Sequence, residues 1–201
     1  GYPFCRGRIF DVVEKDCGQY DTVTEVMWVT GAALFIRLAD YREVGGLDDH
    51  FFAHMEEIDL CWRLRSRGKK LVCIPQSVVY HVGGATLKKE NPRKTFLNFR
   101  NNLLMLYKNL PDKELEHVLF IRGILDRVAA LVFYLKKDRA NARAVMQARR
   151  EFEDIRYSFA ASRIENIMKS TDEMIPERTH FSILMKYYLL GKKHFSQLKL
   201  F

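Results

Sequence analysis

Apolar positions change their spacing twice along this chain. From Val26 to Arg37 they run almost without a break, Val-Met-Trp-Val-Thr-Gly-Ala-Ala-Leu-Phe-Ile-Arg, rich in β-branched and aromatic residues and interrupted at Gly31-Ala32. This predicts a buried strand pair or one bent strand, with the glycine where a backbone or ligand comes close. A short helical turn over Leu38–Val44 and the loop Gly45-Gly46-Leu47-Asp48-Asp49 follow. Between His54 and Gly68, Ile58, Leu60, Cys61, Trp62 and Leu64 supply the buried faces of a short helix. Its probable first turn holds Glu56, Glu57 and Asp59, Asp59 and Arg63 sit four residues apart, and Gly68 is a natural terminator. Lys69–Pro75 reads as a strand ended by proline, and Ser77–His81 as another that runs into the loop Val82-Gly83-Gly84-Ala85-Thr86.

From Asn91 the period becomes helical. Pro92–Asn109 repeats through Phe96, Phe99, Leu103, Leu106 and Tyr107 and is closed by Leu110-Pro111. Lys113–Lys137 predicts a second helix whose apolar surface is interrupted by Arg122, Asp126 and Arg127, yet Ala129–Leu135 is apolar nearly all round, with Lys136-Lys137 behind it. Asn141–Arg156 is a third, basic helix, and Phe181–Leu190 a short apolar one. Residues 1–25 are mixed and turn-rich and predict a surface loop; an opening this irregular suggests a chain that starts mid-domain, as a fragment. Two regions are expected: 1–90, with short strands and the acidic helix, and 91–201, basic, amphipathic and helical.

Length and composition fit that division. A chain of 201 residues, 48% hydrophobic, makes one domain or one domain with an appendage. The opening Gly-Tyr-Pro-Phe-Cys-Arg has no apolar h-region, and no apolar run reaches the roughly 18 residues that span a bilayer. Cys5, Cys17, Cys61 and Cys73 form no CxxC pair and no zinc-finger spacing with histidine, which argues against zinc and for reduced thiols in a cytoplasmic setting. Residues 1–90 hold 12 Lys and Arg against 13 Asp and Glu, a net of −1, whereas the remainder holds 21 against 12, a net of +9, so the positive charge lies in the rear half. That half is expected to face something anionic.

Candidate chemistry gathers in the acidic helix. Carboxylates at a helix N-terminus are kept ionised by the dipole and free N–H groups, which suits a general base; the same residues also read as an ordinary acidic first turn. His81, at a strand end before a Gly-Gly loop, is placed for a metal or phosphate ligand, or else is structural.

From Trp28 to Pro111, about 85 of the 201 residues, the chain resembles the C-terminal part of the catalytic domain of bacterial family 2 glycosyltransferases, the rhamnosyltransferase-like branch in particular. The resemblance is carried by Thr30-Gly31-Ala32 with Arg37, Val44-Gly45-Gly46-Leu47-Asp48, and Phe51-Phe52. It continues through Glu56-Glu57-Ile58-Asp59-Leu60-Cys61-Trp62-Arg63, Ile74-Pro75, His81-Val82-Gly83-Gly84-Ala85-Thr86 and Asn98-Phe99-Arg100-Asn101-Asn102, and order and spacing make it specific.

The resemblance implies an α/β fold, the C-terminal portion of a GT-A fold with a mixed-sheet fragment, and inverting transfer from a nucleotide-diphospho-sugar donor to a glycan or lipid-linked acceptor. The family's base is the second acid of a Glu-Asp pair, which places Glu57 in that role; its extra methylene carries the carboxylate roughly 1.5 Å farther out than an aspartate. Glu56 and Asp59 are the fallbacks, Glu56 toward the acceptor and Asp59 paired with Arg63 on the substrate-binding helix. Trp28 and Gly31 would line the acceptor side, and His81 matches the family's metal or diphosphate ligand. The divalent metal, Mn or Mg, would be held mainly by an N-terminal half not found here, so this chain alone is expected to be inactive as a transferase. Peripheral contact with the inner face of the cytoplasmic membrane suits the basic amphipathic rear half, and oligomerisation would cover apolar edges. Packing of the same helices on each other is the competing reading. From another class, a non-catalytic module binding a partner protein or nucleic acid is the alternative; no nucleic-acid-reading motif occurs, and no nucleic acid is expected.

Overall fold

The computed structural model describes residues 1–81, 91–171 and 175–200. Four strands of two residues each make two antiparallel sheets: β1 (Arg8–Ile9) with β2 (Val12–Val13), and β3 (Thr24–Glu25) with β4 (Val72–Cys73) in the register Thr24 to Cys73 and Glu25 to Val72. The described sheets contain antiparallel pairs alone, so the expected mixed sheet is corrected to two small pairs, β1–β2 a hairpin and β3–β4 joined across the segment that holds α1 and α2. The described residues also form six α-helices: α1 (Leu38–Glu43), α2 (Glu56–Ser66), α3 (Pro92–Asn109), α4 (Asp112–Leu135), α5 (Arg139–Ile155) and α6 (Ala160–Met168).

Helix boundaries follow local chemistry. The Asn91 side chain accepts from the Arg93 amide at 2.9 Å with Pro92 in the first turn of α3, and Asp138 accepts from the Asn141 amide at 3.1 Å at the start of α5. Gly68, at φ +75°, ends α2: its amide bonds to Arg65 O and the Lys69 amide to Leu64 O, both at 3.0 Å, the double bond of a Schellman turn.

The main core joins both halves of the chain. Phe51, Ile58 and Trp62 pack with Leu103, Leu104 and Leu106 of α3, Leu115 and Leu119 of α4, and Phe152 of α5. On α5 the buried positions Ala142, Ala144, Val145 and Ala148 are small, so this helix lies close against both α3 and α4. A second cluster ties Ile9 of the N-terminal hairpin to Ile183, Phe195 and Leu198 near the C-terminus.

Three expectations change. Val26–Arg37 is not a strand pair. After the Val26 amide bonds to Leu71 O at 2.9 Å the segment leaves the sheet, makes a 3-10 turn at Gly31–Ala33, and rests Trp28, Leu34 and Ile36 on cores that include α2 residues. Ser77–His81 forms no strand and lies exposed, Tyr80 at 96%; the Val82–Thr86 loop falls outside the described residues. The short apolar helix at Phe181–Leu190 is largely a π-helical turn, Met185–Leu189. By contrast α6 has no counterpart among the expected elements. Its buried residues are Arg163 and Asn166, polar positions that hide the apolar period.

Candidate functional site at the start of the acidic helix

Helix α2 is held from three sides, and its own acids divide accordingly. Asp59 is 0% exposed. Its Oδ2 accepts from Arg63 Nε at 3.0 Å and Lys108 Nζ at 2.9 Å, and its Oδ1 from Asn109 Nδ2 at 2.7 Å. The Arg63 guanidinium reaches the Val44 carbonyl and, at 2.7 Å, the Gly46 carbonyl, so the Val-Gly-Gly loop is fastened to α2 through this side chain. Lys108 also binds Asp48 Oδ2 at 2.7 Å; burial works to raise the Asp48 carboxyl, and the ammonium outweighs it and holds the group below its usual range. Asp59 and Arg63 therefore sit inside the scaffold with their polar atoms already bonded, rather than on a substrate-facing surface.

Glu57 and Glu56 differ. In each, Oε2 is buried with no hydrogen-bond partner, and the same holds for His54 Nε2 just ahead of the helix. Burial, and next the neighbouring Glu56 charge, push the Glu57 carboxyl above its ordinary value. Burial, then the Lys94 charge, lower His54, with Glu56 pulling the other way. For Glu57, one unpartnered buried oxygen and a raised carboxyl are compatible with a general base, because a base titrating nearer neutrality accepts a proton more readily.

Gly31 faces Glu57: a Cβ built on Gly31 would lie 3.8 Å from Glu57 Cβ. Trp28 is half-buried and packs against the main core rather than standing free. His81 is exposed, and among the described residues no hydrogen bond or ion pair joins it to α2. The described residues whose donor atoms lie within 4.8 Å of one another as a metal ligand set would are Asp48, Asp49 and His50. They fit a divalent ion poorly, because Asp48 binds the Lys108 ammonium through one oxygen and His50 Nδ1, at 2.8 Å, through the other.

Sequence reasoning did not single out His54, Asn101 or Lys108. The available signal was polarity at a core position: Asn101, Asn102 and Lys108 interrupt the buried face of α3.

Much of the rear half's positive charge is engaged internally. Arg122 (3.1 Å) and Arg149 (2.9 Å) both bind Asp126, Arg100 binds Glu151 at 2.7 Å, and Arg163 reaches the Tyr107 and Leu110 carbonyls. The outer face of α4 is different. Ile121, Ile124, Val128, Leu131 and Leu135 repeat at alternating three- and four-residue steps and are all exposed. Among the described residues no helix is long and apolar enough to cross a membrane.

These features define an α/β chain, predominantly helical, that presents a carboxylate pair at a helix start. The chain is 31% identical over 141 residues to a pre-mycofactocin glycosyltransferase of Mycobacterium tuberculosis, a match covering 65% of this chain and 29% of the relative. It is 38% identical over 56 residues to the N-acetylglucosaminyl-diphospho-decaprenol L-rhamnosyltransferase of the same organism, covering 28% of this chain and 18% of the relative. With rhamnosyltransferase WbbL of Escherichia coli K12 it shares 33% over 69 residues, 34% of this chain and 25% of the relative. The likeness read from the motifs thus stands: the chain is similar to part of glycosyltransferases, rhamnosyltransferases among them, and spans less than a third of the length of each of these relatives. No family profile matches the chain, and no solved structure matches it.

Proposed function

We propose that this chain is the acceptor-side portion of an inverting glycosyltransferase of the family 2, GT-A type, using a nucleotide-diphospho-sugar donor and a glycan or lipid-linked acceptor. The observation that carries the reading is the buried, unpartnered Oε2 of the half-buried Glu57, whose Cβ faces Gly31 at the start of α2. On this reading the Glu57 carboxylate takes the acceptor hydroxyl proton while that oxygen bonds to the anomeric carbon. The bond from that carbon to the diphosphate breaks, and the nucleoside diphosphate leaves with the electron pair. Glu56, one residue earlier and also with an unpartnered oxygen, is suited to accept a second acceptor hydroxyl.

A divalent metal, Mn or Mg, would neutralise the departing diphosphate; the side chain of this chain suited to reach it is His81, an exposed imidazole. The remainder of the donor pocket is assigned to parts of the relatives that this chain does not span, so the chain alone should not turn over donor.

The outer face of α4 supports peripheral contact with an anionic cytoplasmic leaflet. Its apolar stripe ends at Lys136, Lys137 and Arg139, and Arg143 and Arg150 of α5 are exposed nearby; among the described residues none of these five forms an ion pair. An apolar ridge rimmed by uncompensated cations complements a surface that is anionic outside and apolar beneath.

The test is transfer by a longer, active form carrying this segment, with a panel of nucleotide sugars and Mn²⁺ or Mg²⁺. Glu57→Gln should lower kcat by about 10²–10⁴-fold with donor binding kept. Turnover near wild type would remove Glu57 from the mechanism, and substantial transfer by this chain alone would overturn its assignment as a partial site.

A further inference from the structure

The segment that delivers the chain to α2 is bent in a way its own residues do not favour. Phe52, His54 and Met55 all have positive φ, +60°, +69° and +73°, and none is glycine. Phe52, with ψ −56°, is the centre of a three-residue γ-turn closed by the Ala53 amide on Phe51 O at 2.7 Å, the strained form of that turn. Met55 caps α2 from the left-handed region and offers no side-chain bond to the helix amides. Residues held this way are strained and persist only when neighbouring structure over-determines them.

The neighbouring structure is led by one amide. Asn101 of α3 is 0% exposed, and its Nδ2 lies 2.8 Å from each of three carbonyl oxygens, those of Phe51, Ala53 and His54. Its Oδ1 accepts from Arg100 Nε at 2.9 Å, and Arg100 Nη2 takes the His50 carbonyl at 3.0 Å. This fixes the amide orientation, since a flipped carboxamide would set its oxygen against three others. Both side chains of the Arg100-Asn101 pair thus grip the backbone of the turn, immediately ahead of the unpartnered atoms of His54, Glu56 and Glu57.

We propose that Asn101 is a positioning residue for the acidic helix: by gathering the Phe51, Ala53 and His54 carbonyls it holds the strained turn that sets Glu57 half-buried with its Oε2 unpartnered. Asn is suited because it brings two N–H donors on a short stem. Aspartate has the same shape and would oppose the carbonyls with negative charge, and serine keeps one donor. The catalytic meaning of this device rests on Glu57 being the base; the device itself does not.

The experiment is a carboxyl ¹³C NMR titration of this chain, with the Glu57 signal assigned by Glu57→Gln. In the wild type Glu57 should titrate above the exposed glutamates of the same protein. In Asn101→Ser and Asn101→Asp, checked as folded by near-ultraviolet circular dichroism, the Glu57 midpoint should fall toward those glutamates. Adding Phe52→Gly, which makes the turn cheap, should restore at least half of the shift. A Glu57 midpoint unchanged in folded Asn101 variants would overturn the proposal. Should neither variant fold, Phe52→Gly alone carries the test: relieving a strained, clamped turn must raise the melting temperature, and an unchanged or lower one overturns the proposal. No substrate enters these measurements, so failure of the transferase reading leaves their outcome intact. In an active longer form the Asn101 variants should lose about tenfold to hundredfold in kcat with little change in KM for donor.

Discussion

Asp59 and Lys108 face each other across the contact between α2 and α3, 2.9 Å apart, with side chains 0% and 3% exposed. The ammonium also holds Asp48 at 2.7 Å, so a single cation joins the acidic helix, the loop before it and the long helix behind it. Breaking a buried ion pair by removing one partner leaves the other charge uncompensated. Asp59→Ala should therefore destabilise the fold by about 3–5 kcal/mol, lowering the melting temperature by roughly 6–20 °C for a chain of this size. A change of under 2 °C in thermal unfolding would show that the network contributes little.

Glu57 predicts the opposite sign. Its carboxyl is raised in the folded state, chiefly by burial. Such a group is favourable while protonated, at pH below its unfolded value, and that contribution is lost as pH rises through the folded pKa. Glu57→Gln, which cannot ionise, should be more stable than wild type at neutral pH, and the advantage should vanish on acidification below the ordinary glutamate range. Melting curves from pH 3 to pH 8 give the result; a difference that grows toward acid would contradict the burial of this carboxyl.

The outer face of α4 can be altered without touching the core, since Ile124 is 50% and Leu131 55% exposed. Ile124→Glu with Leu131→Glu should leave thermal unfolding nearly unchanged and abolish sedimentation with anionic liposomes. Lys136→Glu with Lys137→Glu should weaken binding by about 30-fold, taking ~1 kcal/mol for each basic residue lost at the surface. Absence of wild-type binding at low salt would rule out the membrane reading and leave self-association or a protein partner for this face.

Cysteine reactivity reports on the packing of α2. All four thiols are free; Cys17 is exposed and Cys61 buried, where burial pushes its thiol up to about 11. With a thiolate-selective reagent at pH 8, Cys17 should react rapidly and Cys61 only after unfolding. Fast labelling of Cys61 in the native protein would mean that α2 is not seated as described.

The acidic helix was legible because its signals are local. Glu56, Glu57 and Asp59 in the first turn, Arg63 four residues after Asp59, and Gly68 at φ +75° just past the end all act within one helix. Helix α3 likewise begins and ends where Asn91-Pro92 and Leu110-Pro111 place it. Residues 26–37 were misread as strand because apolar, β-branched composition records burial and not the partner that provides it. Here the covering surface is largely a helix. Helix α6 was missed for the converse reason, since its inward positions Arg163 and Asn166 are polar and are satisfied by groups from elsewhere, the Tyr107 and Leu110 carbonyls and the Asn109 side chain among them.

By itself the sequence determined that this protein has a short helix led by carboxylates, followed by long amphipathic helices, because periodicity and capping act between residues a few positions apart. Only the tertiary structure decided which carboxylate is tied into the scaffold and which keeps an unpartnered oxygen. Asp59 is neutralised by Arg63 and by Lys108, 49 positions away, and is bonded by Asn109, 50 positions away, whereas Glu57, two residues from Asp59, keeps its Oε2 buried without a donor. The charge environment of a buried acid is set by what folds against it, and that depends on contacts no local pattern records.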